Sequence, residues 1–141
     1  IHDALMNGPE GTIELFHGYT YSAHPTACAA GLATLDIYKD EGLLTRGASL
    51  AEYWRDALHS LKGLPNVVDI RNVGLMGAVE VAPRKEGVGA RGYDVMVDCF
   101  NRGLYLRMSG DSFALSPPLI VEKSHIDDIV SILGDAIKRV A

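Results

Sequence analysis

Hydroxyl and aromatic side chains surround a glycine in the stretch FHGYTYSAHP, residues 16–25. Pro25 fits the first turn of a helix, because its missing N–H would have no partner there. Loop hydroxyls and backbone N–H groups would then lie beside the positive end of a helix, where a phosphate can bind without a cationic side chain. The same residues also fit a capped, buried helix that follows a packed aromatic loop, and this stretch alone leaves both interpretations open.

Arg107 is the second candidate for chemistry. It ends the strand-like run 104–107 and precedes Ser109 and Gly110. The planar guanidinium matches a carboxylate with two parallel hydrogen bonds, so Arg107 is a candidate carboxylate-binding residue. The alternative is an exposed arginine at the end of a strand, which binds nothing.

Other motifs predict no further site. His17, His24 and Cys28 lack partners at the spacing of a zinc site, so no metal is predicted. Residues 87–92 spell GxGxxG, but the polar segment 83–86 separates them from the preceding strand. A dinucleotide-binding turn follows its strand directly. We therefore predict a flexible surface loop here.

Composition excludes several classes of protein. The 141 residues are 48% hydrophobic and 22% charged, which is typical of a folded domain. A net charge of −5 without a basic run argues against nucleic-acid and membrane-surface partners. No apolar run reaches the roughly 20 residues of a membrane helix. Cys28 and Cys99 fall in helical patterns and are predicted to be buried, reduced thiols, which favours the cytoplasm.

Hydrophobic periodicity predicts an α/β (α+β) two-layer domain with a small, mainly antiparallel sheet. The first helix is apolar almost all round and is expected to be buried. Trp54 is expected in the core, Gly103 after a helix C-terminus and Ser124 at a helix N-cap. The predicted elements are helix 27–37, helix 49–61, a hairpin over 68–82 that turns at Gly74, helix 93–101, strands 104–107 and 112–115, and a final helix.

Five segments together resemble a known family. They are HGYTYSAHP (residues 17–25), the helix TACAAGLATLDIYKDEGLL that follows it, VDIRNVGLM (68–76), GLYLR (103–107) and LSPPLI (115–120). In this order they resemble the C-terminal part of class III (omega-amino-acid) aminotransferases, which are pyridoxal-phosphate enzymes of fold type I. The resemblance covers nearly the whole chain. It implies the small C-terminal domain of such an enzyme.

The resemblance also implies roles for particular residues. The threonine of the GYTYS-type motif binds the cofactor phosphate of the neighbouring subunit in this family, and Thr20, with Gly18 and Tyr19, matches that motif. The arginine at the place of Arg107 binds the carboxylate of an amino-acid or keto-acid substrate, and it swings away for amines. A homodimer is therefore expected.

The family's catalytic lysine, which holds the cofactor as a Schiff base, has no match here. The five lysines lie in polar settings, and the family's lysine precedes the GYTYS-type segment. With no initiator methionine at Ile1, we expect a piece of a longer protein that contributes no catalytic residue. The predicted parts are a lead-in and phosphate loop at 1–25, a connecting helix at 26–46 and the small domain at 47–141.

The expected parent reaction is amino transfer from an omega-amino acid such as beta-alanine, or from an amine, to pyruvate. The 141 residues alone are expected to bind pyridoxal phosphate weakly or not at all and to catalyse nothing. One alternative is another class III enzyme, of the ornithine or acetylornithine type or an aminomutase. A second alternative is a free-standing α/β interaction domain that uses no cofactor.

Overall fold

A computed structural model describes residues 1–11 and 18–141. Segment 12–16, which the sequence predicts to be extended, and His17 lie outside the described residues. The chain divides into two units, Ile1–Asp36 and Ile37–Ala141, which are described separately. The predicted domain limits stay a prediction. The elements are α1 (His2–Met6), α2 (Pro25–Asp40), α3 (Leu43–His59), β1 (Val67–Val73), β2 (Met76–Val81), α4 (Ala90–Asn101), β3 (Arg107–Ser109), β4 (Ser112–Leu115) and α5 (Lys123–Arg139).

Helix α2 begins at Pro25, as its sequence predicts. The prediction that this helix is buried is wrong, because none of its residues is buried. Leu32 and Leu35 keep 66% and 62% of their surface exposed. An apolar helix gains stability when it is buried, but burial requires a second surface that covers it. The described residues provide none.

The four strands form one antiparallel sheet in the order β1-β2-β4-β3. The predicted hairpin is confirmed, since β1 and β2 pair and Gly74 turns the chain at a φ of 55°. Glycine adopts this left-handed conformation without a steric penalty. Strand β3 begins at Arg107, whereas the sequence predicted that the strand would end there. The predicted α/β fold with a small antiparallel sheet is therefore confirmed, with one strand displaced.

One face of the sheet carries the hydrophobic core. Helix α3 contacts β1 and β2, helix α4 contacts β3, and α5 packs against both helices. Trp54 and Phe113 are completely buried in this layer, as predicted for Trp54. Other fully buried side chains include Leu58, Val79, Val95, Cys99, Ile126 and Leu133. Burial of a large apolar side chain contributes about 1.5–3 kcal/mol, so this layer is the main source of stability.

The last helix has a different N-cap from the predicted one. Glu122, not Ser124, caps α5: its side chain accepts the backbone N–H of His125. In return the Glu122 N–H donates to His125 Nδ1 at 3.2 Å. This reciprocal pair satisfies two donors at the start of α5. Gly103 follows the C-terminus of α4 with a φ of 88°, as predicted.

The two cysteines lie in different environments. Cys99 is buried, as predicted, but Cys28 is exposed because it lies on the uncovered helix α2. Both are free thiols. Burial, with a smaller effect of the Asp98 charge, raises the pKa of Cys99 to about 11. The thiolate is the reactive form, so Cys99 is protected both by its burial and by its protonation.

We expect one fast-reacting thiol in the native chain. At pH 8 a disulfide reagent such as DTNB should label Cys28 within minutes, whereas Cys99 should react only after denaturation. Replacing Cys28 with serine should abolish the fast phase, and replacing Cys99 with serine should leave it unchanged. Two fast thiols in native wild-type chain would contradict the buried position of Cys99.

Candidate functional site

The predicted phosphate-binding residues lie in an exposed turn. Ser22 N–H donates to the Tyr19 carbonyl at 2.9 Å, which places Thr20 and Tyr21 at the centre of a tight turn. Gly18, Tyr19 and Thr20 are all exposed. Thr20 therefore lies on the surface of its own unit.

The turn leads directly into the N-terminus of α2. The Cys28 N–H donates to the His24 carbonyl at 2.9 Å, and the Ala27 N–H lies 3.4 Å from His24 Nδ1. His24 therefore caps the helix with its ring. A hydroxyl donor beside the positive end of a helix suits a phosphate dianion. The residues of this segment fit the phosphate group of pyridoxal phosphate.

Arg107 opens the edge strand β3, where it pairs with Ala114 of β4. It is exposed, and within residues 1–11 and 18–141 it is the one arginine whose guanidinium contacts no acceptor. The other seven donate to carboxylates or backbone carbonyls; they are Arg46, Arg55, Arg71, Arg84, Arg91, Arg102 and Arg139. Arg107 thus keeps its donors available for an anion from outside the described part of the chain.

A cavity of about 470 Å³ adjoins Arg107. Its lining is mainly apolar and includes Leu104, Leu115 and Ile129. Trp54 also lines it, and Trp54 Nε1 is the one fully buried side-chain nitrogen or oxygen atom without a partner among the described residues. Apolar walls lower the local dielectric constant, which strengthens an ion pair formed at their edge. Arg107 is therefore well placed to hold a carboxylate.

The turn after Arg107 is anchored by a buried carboxylate that the sequence did not reveal. Asp111, 6% exposed, accepts the N–H of Gly89 at 2.7 Å and that of Gly92 at 2.8 Å. These amides belong to the N-terminus of α4. The predicted flexible loop at 87–92 is therefore wrong: its last three residues form the first turn of α4. Asp111 occupies the position at which an external anion would bind.

Thr20 belongs to the first unit and Arg107 to the second. Among the described residues, no group of three or more histidine, cysteine, aspartate or glutamate side chains is placed to hold a metal ion. The same residues contain no helix with the length and apolar character needed to span a membrane.

A four-stranded antiparallel sheet covered on one face by three helices has the architecture of a domain of fold-type I transaminases. The chain belongs to the class III aminotransferases, because the family model described as aminotransferase class-III matches residues 2–137. This confirms the resemblance seen in the sequence.

Two relatives and one solved structure show which class III enzymes this chain is similar to. The chain is 54% identical over 140 residues to an omega-aminotransferase of Caulobacter vibrioides, covering 99% of this chain and 31% of the relative. It is 41% identical over 143 residues to a beta-alanine–pyruvate aminotransferase of Pseudomonas aeruginosa, covering 100% and 32%. A thermostable omega transaminase mutant from Pseudomonas jessenii superposes with a TM-score of 0.81 at 32% identity, over 90% of this chain and 30% of that one. The chain therefore spans about a third of its relatives' length.

Proposed function

We propose that this chain is the C-terminal part of a pyridoxal-phosphate-dependent omega-amino-acid:pyruvate aminotransferase. The observation that carries the proposal is the exposed, unpaired guanidinium of Arg107 beside an apolar cavity. Two curated relatives, named omega-aminotransferase and beta-alanine–pyruvate aminotransferase, support the substrate class. The complete enzyme is proposed to be a cytoplasmic homodimer.

Each candidate residue has a separate role in this proposal. Pyridoxal phosphate, when bound, supplies the electron sink that stabilises a substrate carbanion. The Thr20 hydroxyl donates to the cofactor phosphate of the partner subunit, and Gly18 and Tyr19 shape the turn that presents it. Arg107 binds the substrate carboxylate and so fixes the orientation of the reacting carbon, which is a large part of the rate gain. The catalytic lysine comes from polypeptide outside these 141 residues.

Thr20 can be tested through cofactor affinity in the longer protein. Loss of one hydrogen bond to a charged group costs about 1.5–3 kcal/mol, so Thr20→Val should raise the Kd for pyridoxal phosphate roughly 10- to 100-fold. Thr20→Ser keeps the hydroxyl and should bind nearly as wild type. Equilibrium dialysis of the cofactor measures both. An unchanged Kd in Thr20→Val would contradict the phosphate role.

The substrate class is tested by assaying the longer protein for alanine formed from pyruvate. We expect beta-alanine to be a donor with kcat/KM at least tenfold above that of ornithine. A preference for ornithine would favour the alternative, a class III enzyme of the ornithine type.

The 141-residue chain alone should show neither activity nor a lysine-linked cofactor absorbance. A stable absorbance of that kind in the purified chain would contradict the assignment of the lysine to another part of the protein.

A further inference from the structure

We infer that Asp111 is a positioning residue for Arg107, acting through the turn that joins β3 to β4. The inference rests on the proposed carboxylate role of Arg107. It adds a second residue to that role. Asp111 does not touch the substrate, and it lies buried in the turn, two residues after the end of β3.

Asp111 attaches the turn between β3 and β4 to neighbouring elements. Both carboxylate oxygens of Asp111 are used, one by the Gly89 N–H and the other by the Gly92 N–H. The Asp111 carbonyl in addition accepts the Val81 N–H at 3.0 Å. Hydrogen bonds to an ionised acceptor are about twice as strong as neutral ones. Asp111 therefore ties one turn to a helix and to a neighbouring strand.

The backbone of the turn lies close to the backbone at the start of α4. Gly110 turns the chain at a φ of 59°, and its Cα lies within 3.7 Å of the place of a Cβ at Gly89. A Cβ at Gly92 would lie 2.5 Å from the Gly110 carbonyl oxygen. The missing Cβ at Gly92 allows the helix start and the turn to meet this closely. Asp111 thus holds the turn in a contact with little room for displacement.

Strand β3 connects this turn to Arg107. Ser109 pairs with Ser112 next to the turn, and Arg107 pairs with Ala114 two residues further on. Strand β3 is three residues long and lies at the edge of the sheet, so it pairs with β4 alone. The direction of a strand this short is set by its turn, by β4 and by helix α4, which contacts it. Release of the turn is therefore expected to change where the guanidinium of Arg107 points.

A purely structural role for Asp111 predicts a different outcome. Loss of stability alone lowers the amount of active protein and affects every substrate equally. Loss of positioning instead weakens the binding of donors that carry a carboxylate, and leaves donors without one unchanged. The ratio of KM for beta-alanine to KM for a carboxylate-free amine such as 1-phenylethylamine therefore separates the two roles.

The experiment compares four variants of the longer protein at a temperature where all are folded. Asp111→Asn removes one anchoring hydrogen bond, and Gly110→Ala strains the same turn. Gly74→Ala is the matched control, because Gly74 has a φ of 55° in the other hairpin and a Cβ there would meet nothing within 4 Å. Arg107→Ala reports the full loss of the carboxylate contact. We expect the KM ratio to rise at least fivefold in Asp111→Asn and Gly110→Ala, and less than twofold in Gly74→Ala.

Backbone motion in the 141-residue chain gives a readout that needs no activity. The backbone order parameter of Arg107 should fall from about 0.85 to below 0.6 in Asp111→Asn, as nitrogen-15 relaxation measures it. An unchanged KM ratio in both turn variants, with a raised ratio in Arg107→Ala, overturns the inference and leaves the proposed function standing. An unchanged ratio in Arg107→Ala overturns both. Gly110→Ala keeps the test decisive if Asp111→Asn does not fold.

Discussion

Replacing Gly92 with alanine is expected to lower the free energy of unfolding by about 3 kcal/mol or more. The new Cβ would lie 2.5 Å from the Gly110 carbonyl oxygen and 3.1 Å from Asp111 Cα. Both are backbone atoms, so neither can turn aside as a flexible side chain would. Overpacking costs about 1–3 kcal/mol, and disruption of a buried charged hydrogen bond costs a similar amount. Urea denaturation followed by circular dichroism measures the change.

Gly31→Ala is the matched control, since Gly31 also lies within a helix but a Cβ there would meet nothing within 4 Å. Alanine is favoured over glycine by up to about 1 kcal/mol inside a helix. The control should therefore keep or raise the helical signal and should not lower the main denaturation midpoint. A Gly92→Ala chain as stable as wild type would show that the turn and the start of α4 are not in close contact.

Replacing Arg107 with alanine in the longer protein is expected to raise KM for beta-alanine roughly 10- to 100-fold. A hydrogen-bonded ion pair with a carboxylate contributes about 1.5–3 kcal/mol, and every 1.4 kcal/mol is a factor of ten. Arg107→Lys keeps the charge but loses the planar fork, so it should recover only part of the affinity. KM for 1-phenylethylamine, which has no carboxylate, should stay within twofold of wild type. Steady-state kinetics with pyruvate measures all of these constants.

Arg55→Ala removes the same charge from a different place and serves as the control. Arg55 lies on α3 and pairs with Asp56 at 2.9 Å, so its charge is already paired within the chain. Its loss should leave both KM values unchanged. If Arg107→Ala lowers the rate with both donors by the same factor, the carboxylate role fails and Arg107 is a structural residue.

Local backbone conformation could be predicted from the sequence wherever a single residue type determines it. Pro25 starts α2 because a helix tolerates proline there, and Gly74 and Gly103 turn the chain at positive φ. The alternation around residues 68–82 predicted the hairpin that the structure contains. The family was also readable, because its motifs are contiguous segments in a fixed order.

The helix cap at Glu122 and the exposure of Cys28 could not be predicted from the local sequence pattern. The Glu122 cap preceded the predicted one, because the competition between two nearby caps depends on where the chain enters the helix. Cys28 was expected inside and is exposed, because burial depends on a covering surface and not on composition alone.

The sequence by itself predicted the hairpin, the order of helices α2 to α5 and the two candidate residues, Thr20 and Arg107, since these follow from short-range periodicity and contiguous motifs. Only the tertiary structure revealed that Asp111 binds Gly89 and Gly92 across about twenty residues of chain, and that seven of eight arginines are already paired. The physical reason is that a hydrogen-bond partner distant in the sequence is selected by packing, which no local pattern encodes. Arg107 stands out once the partners of the other arginines are known.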